Sequence, residues 1–135
     1  MRKIAFGLLM IVCLTLIGCG NADADIKAFT TDFDKLTNDI VATIKATPTT
    51  AGIDEAQKML DGKKSEMKTK LDGLKQLRGF QVSKESTKKL TDSLTKDLTT
   101  INSLKIEYMD KTMSDKDFSE KLNKLVVHFN AISGV

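Results

Sequence analysis

Four segments of this chain repeat apolar residues at steps of three and four, and that period leaves little freedom in how it can fold. Ile26, Phe29, Phe33, Leu36, Ile40 and Ile44 form the first stripe. Ile53, Ala56, Leu60, Met67, Leu71 and Leu74 form the second, and Leu90, Leu94, Leu98, Ile101, Leu104 and Tyr108 the third. The last is Phe118, Leu122, Leu125, Phe129 and Ile132, stepping by four, three, four and three. A turn of 3.6 residues brings such positions onto one side, so each segment predicts a helix with an apolar face that must be covered.

The boundaries follow from local chemistry. The first helix is expected from about Asp25 to Ala46 and the second from about Ile53 to Arg78. Between them Thr47-Pro48-Thr49-Thr50-Ala51-Gly52 breaks the chain, because Pro48 disfavours helix in the residue before it. Gly62 and Gly73, in the near-repeat Leu60-Asp61-Gly62 and Leu71-Asp72-Gly73, fall away from the stripe and read as surface glycines. Gly79 ends the second helix. Ser83 can cap the third, which is expected to run to about Lys111. For the fourth, Ser114 reads as the cap with Asp117 three residues on, Met113 and Phe118 stand where a hydrophobic staple would close, and Gly134 is the stop. Four amphipathic helices on short loops predict an all-α fold, an antiparallel up-down-up-down four-helix bundle over residues 26–135. A three-helix arrangement with the second helix broken at Gly62 is the alternative.

The first 18 residues do not belong to that domain. Met1-Arg2-Lys3 is basic, Ile4 to Ile17 is uncharged and apolar, and small residues follow. This is the layout of a secretory signal peptide, too short to span a bilayer comfortably. Leu16-Ile17-Gly18-Cys19 resembles the lipobox of bacterial lipoproteins: two aliphatic positions, a small residue and a cysteine. The resemblance covers residues 1–19 and implies that the leader is removed before Cys19, whose thiol carries a diacylglycerol. Acyl chains hold at about 0.8 kcal/mol per buried methylene. Residues 19–25 would then be the lipidated N-terminus and a short polar tether, keeping the domain within ~20 Å of the membrane. Gly20, where the family's enteric inner-membrane members carry Asp, implies the outer membrane if the host is Gram-negative. Ala22-Asp23-Ala24 offers a rival: conventional cleavage after Ala24, giving a soluble secreted protein. Cys13 lies inside the leader.

Charge narrows the partners. Taking Arg2 and Lys3 from the 21 basic residues leaves 19 against 18 acidic ones. A chain so balanced lacks the concentrated basic patch that phosphate backbones need, so nucleic acid is not expected. With Cys19 acylated no internal disulfide can form, and stability must come from packing.

The chemical inventory is thin. There is one His (His128), no Trp, and no G-x-S-x-G or phosphate-binding glycine loop. No E-x-x-H, H-x-x-x-H or C-x-x-C spacing suggests a metal. A His on the last helix of an exported bundle resembles the layout of four-helix b-type cytochromes. That family pairs it with a Met on the first helix, and this chain has none there. Met109 and Met113, four apart, are too few thioethers for Cu(I).

One polar layer stands out. Lys63 falls inside the second stripe and Asp97 inside the third. Counted from a turn near residue 80, they reach the same height on helices expected to be neighbours, with Thr37 and His128 near that height. Three readings are open: a small polar site for ligand or proton chemistry, a pair that sets the register of the bundle, or side chains that both snorkel to water. His128 alone reads as a boundary side chain, and Val127 as a single exposed apolar spot. The functional expectation is a non-enzymatic lipoprotein: an interaction or structural module of the cell envelope with a protein partner and no cofactor. The competing class is a carrier of haem, a metal or an apolar molecule.

Overall fold

The computed structural model describes residues 21–134. Leu16-Ile17-Gly18-Cys19, and with it the acylation reading, lies outside the described residues. The chain is all-helical: α1 (Ala22–Ala46), α2 (Thr50–Lys75), α3 (Lys84–Glu107), α4 (Met109–Ser114) and α5 (Lys116–Ser133), with no strand among the described residues.

Several ends differ from the sequence expectation, each for a local reason. α1 takes in Ala22 to Asp25, which the sequence assigned to the tether. Alanines favour helix, and Asp23 and Asp25 in the first turn face the positive end of the helix dipole. Cys19 therefore stands three residues before the helix, at most about 10 Å of chain. α2 starts at Thr50 rather than Ile53, with Ile53 N–H donating to Thr49 O at 3.1 Å. The break is confined to Pro48 and its neighbours, because the first-turn N–H groups of a helix need no partner within it. α2 runs unbroken through Gly62, which removes the three-helix alternative. Ser83 caps α3 as expected, its hydroxyl accepting from Ser86 N–H at 3.1 Å. α3 stops at Tyr108 (φ −106°, ψ 24°), and the short helix α4 follows it directly.

The cap of α5 is Asp115, not Ser114. Asp115 Oδ1 accepts from Phe118 N–H at 3.0 Å, while the Ser114 hydroxyl donates back to Asp110 O at 2.9 Å within α4. The shift by one residue undoes the staple, and Met113 is 80% exposed. Gly134, at φ 81°, ends α5 in the left-handed conformation that glycine adopts without strain.

α1 packs against α2 and α3, and α5 packs against the same two, whereas α2 and α3 do not pack against each other. This corrects the neighbour order expected from the sequence. Side-chain pairs give the directions. α1 and α2 run opposite ways, with Lys70 3.1 Å from Asp32 and Thr43 3.5 Å from the Met59 sulfur. α1 and α3 run the same way, joined by Ser83 N–H to Asp23 Oδ1 (3.0 Å) at their starts and Lys45 to Glu107 (3.3 Å) at their ends. α2 and α5 also run together, from Asp54–Lys121 (2.7 Å) to Lys75 Nζ on Ser133 O (2.7 Å). α3 and α5 oppose each other, with Tyr108 and Phe118 ring centroids 5.8 Å apart. The connection over residues 76–83 thus passes across one end of the molecule from α2 to α3.

The core lies where the α1 and α5 stripes meet. Phe33 stacks on Phe29 (5.4 Å) and on Phe129 (5.1 Å), and all three are buried. α3 is held more shallowly: Asp97, Ile101 and Leu104 are its only buried residues, with Leu90, Leu94 and Leu98 partly covered.

Two glycines of α2 predict opposite outcomes. A Cβ on Gly52 would overlap the backbone carbonyl of Thr47, where α2 leaves the end of α1, whereas one on Gly62 meets nothing within 4 Å. Gly52→Ala should cost about 1–3 kcal/mol through forced backbone movement. Gly62→Ala should gain up to about 1 kcal/mol, as on any exposed helix interior. Urea midpoints of the two variants check this, and shifts of the same sign would contradict it.

Candidate functional site

Asp97 is the one charged residue among the described residues that is fully withdrawn from water, at 1% exposure. Its place follows from the α3 stripe: three residues beyond Leu94 and four before Ile101, it must face inward. What it meets is α1. Thr37, also 1% exposed, donates its hydroxyl to Phe33 O at 3.0 Å. Asp34 is oriented from α3, its Oδ1 accepting from Ser93 Oγ at 3.0 Å and lying 3.7 Å from Lys96 Nζ. Asp97 Oδ2 has no hydrogen-bond partner.

These surroundings favour the protonated acid. Burial first, and then the neighbouring Asp34 carboxyl, push Asp97 up to about 7, against the opposing pull of Lys96 and Thr37. The reason is visible in the donors. A carboxylate accepts only, so an ionised Asp97 would leave Oδ2 buried without a donor and place two like charges side by side. Thr37 has one hydroxyl proton, for which Phe33 O competes with Asp97. Protonated, Asp97 becomes a donor and can share its proton with Asp34. The α1–α3 seam therefore favours a shared proton at pH values up to about 7.

The other residues singled out from the sequence lie elsewhere. Lys63 is exposed and paired with Glu66 at 3.1 Å on its own helix. Since α2 does not pack on α3, Lys63 and Asp97 are not brought together: Lys63 reaches water, as the snorkelling reading has it, whereas Asp97 is buried beside Asp34. Lys63 instead edges a shallow hollow of ≈ 210 Å³ between α1 and α2, floored by Leu36 and Met67. The charges at its rim are engaged with each other: Lys35 with Asp39, Asp32 with Lys70, and Lys63 with Glu66. His128 sits on the α2–α5 seam, Nδ1 3.0 Å from Gln57 Nε2 and 3.8 Å from Asp61 Oδ1, one-third exposed. Thr37 is thus the only member of the predicted layer that joins Asp97.

Asp34 escaped the sequence reading. It stands beside Phe33, at the edge of the α1 stripe, and nothing local marks it as the partner of a residue 63 positions away. Among the described residues no group of three or more His, Cys, Asp or Glu side chains could hold a metal ion. Phe29, Phe33 and Phe129 stack together between α1 and α5. No described helix is long and apolar enough to cross a membrane.

The two ends of the molecule differ. Ile106, Met109 and Met113 are 76%, 53% and 80% exposed. They lie where α3 and α4 meet the α1–α2 turn, with Lys111 Nζ donating to Pro48 O. Phe80, 85% exposed, is at the other end with the start of α1. No protein-family model, curated protein or solved structure matches the chain.

Proposed function

We propose that this chain is a bacterial lipoprotein, cut before Cys19 and held to a membrane by acyl chains on that residue. Its helical domain acts as a non-enzymatic interaction or structural module of the cell envelope. In a Gram-negative host, Gly20 favours the outer membrane. We read the four long helices as an up-down-up-down bundle in which α2 and α3 stand diagonally, a reading supported by their cross-helix pairs. A protein partner in the envelope is bound at the end remote from the anchor.

The observation that carries this reading is the polarity of the domain. α1 begins three residues after Cys19 at one end, while Ile106, Met109 and Met113 present apolar surface to water at the other. Apolar side chains exposed together at one end offer a contact surface for a partner. The secreted alternative fits less well. Cleavage after Ala24 would remove Asp23, whose carboxylate accepts from Ser83 N–H at 3.0 Å and ties α3 to α1. That bond, with the Ser86 and Ser83 side chains, also holds the Asp23 carboxyl below its ordinary range. The carrier alternative finds its central space occupied by phenyl rings.

The test is made in cells. The N-terminal peptide recovered from the membrane fraction should begin at Cys19 and carry acyl mass, and Cys19→Ser should release the protein into the soluble fraction. A photo-crosslinker at Met113 should capture one partner that the same group at Lys35 does not. An unmodified N-terminus at Asp25 would sink the anchor, and crosslinking no different between the two positions would sink the partner surface.

A further inference from the structure

We infer that the connection between α2 and α3 is a lipid-contacting loop: Phe80 enters the headgroup–acyl boundary of the bilayer, with Arg78 and Lys84 on anionic headgroups. The inference rests on the lipoprotein reading and says which face of the domain meets the membrane.

Three observations lead to it. The first is position. Ser83 N–H on Asp23 Oδ1 (3.0 Å) brings the end of this loop to the first turn of α1. Lys75 Nζ on Ser133 O (2.7 Å) brings the ends of α2 and α5 there too. Cys19 stands only three residues before Ala22, about 10 Å of chain at most. A bilayer that holds Cys19 therefore faces this end.

The second is presentation. Gln81 N–H donates to Arg78 O at 2.8 Å and Arg78 N–H to Gln81 Oε1 at 2.9 Å, closing a turn with Gly79 and Phe80 at its middle. The ring is 85% exposed, the most exposed large apolar side chain described. An aromatic ring on a closed turn loses little freedom on entering the interface, where aromatic side chains are favoured.

The third is charge. Between Asp72 and Glu85 the chain carries Lys75, Arg78 and Lys84 and no acid. Of the acids at the same end, Asp23 is engaged with Ser83 and Glu85 with Lys89 (2.8 Å), which leaves Asp25 against the three basic residues. Basic residues around an apolar insertion suit an anionic lipid surface.

The chain has no Trp, so a single substitution makes a clean probe. The acylated full chain carrying Phe80→Trp is placed in vesicles of phosphatidylethanolamine and phosphatidylglycerol, with or without acyl-brominated lipid. Met113→Trp, at the opposite end, is the control. The inference expects the Phe80→Trp emission to shift to the blue and lose intensity to brominated lipid, while Met113→Trp emits as in water. If Phe80→Trp protein floats with the vesicles yet emits as in water and is not quenched, the loop contact is wrong and the anchor stands. If the protein does not float with the vesicles, the anchor reading is wrong and the inference falls with it.

Discussion

Raising the pH from about 4 to about 8 should destabilise this domain, and Asp97→Asn should remove most of that loss. The Asp97 carboxyl lies at about 7 in the folded chain against an ordinary 3.8. Between those values the folded state keeps a proton that the unfolded state has released, so unfolding becomes easier as pH rises. The stability is fully present below the ordinary value and lost by the time pH passes the folded one. At 1.36 kcal/mol per unit the loss is on the order of 4 kcal/mol. Asp23, Glu66 and Glu85, held below the ordinary carboxylate range by Ser83, Lys70 and Lys89, act with the opposite sign and on the acid side. Being exposed, they contribute little.

Asparagine keeps the shape of the neutral acid and a donor for Asp34, and cannot ionise. Asp97→Asn should match the wild type near pH 4 and exceed it near pH 8, with Asp34→Asn reducing the slope less. Denaturant midpoints across that range check this. A difference between wild type and Asp97→Asn that stays constant with pH would show that Asp97 does not titrate there.

Phe33→Ala should cost about 3–5 kcal/mol, the usual range for truncating a buried ring. Phe33 is fully buried and its stacks on Phe29 and Phe129 join α1 to α5 across the centre. Truncation leaves a void bounded by two other rings on opposed helices, which cannot both relax into it. Domains of this size are stable by only about 5–15 kcal/mol, so the variant should sit near the edge of folding. Phe80→Ala supplies the contrast: the same residue type, exposed on the 76–83 connection, should change stability by no more than about 0.5 kcal/mol. Urea unfolding of the two proteins measures both. Equal losses, or a changed slope in the wild-type comparison alone, would contradict the placement of the core.

Much of the fold was legible because it is local. The stripes on α1, α2, α3 and α5 are periodicities within one segment, and Ser83 and Gly134 act on their own helix ends. The errors at ends were also local. Ser114 and Asp115 are both good caps, and which one serves depends on where α4 stops, which follows from the interruption at Tyr108. Gly52 read as part of a break, when its need is for space against Thr47 of the preceding helix. Phe80 carries no periodic signal.

By itself the sequence determined that helices form, which face of each is buried, and that Asp97 lies on such a face, because a period of 3.6 residues decides these within one segment. It could not decide who Asp97 meets. Four apolar stripes of similar width can be set around a common core in more than one order. Counting along the chain favoured α2, and with it Lys63. Only the tertiary structure decided that α3 lies against α1, so that the buried acid faces Asp34 and Thr37 and holds a proton instead of pairing with a lysine. The physical reason is that hydrophobic burial is non-directional: it requires each stripe to be covered and leaves the choice of neighbour to the packing of particular side chains across the core.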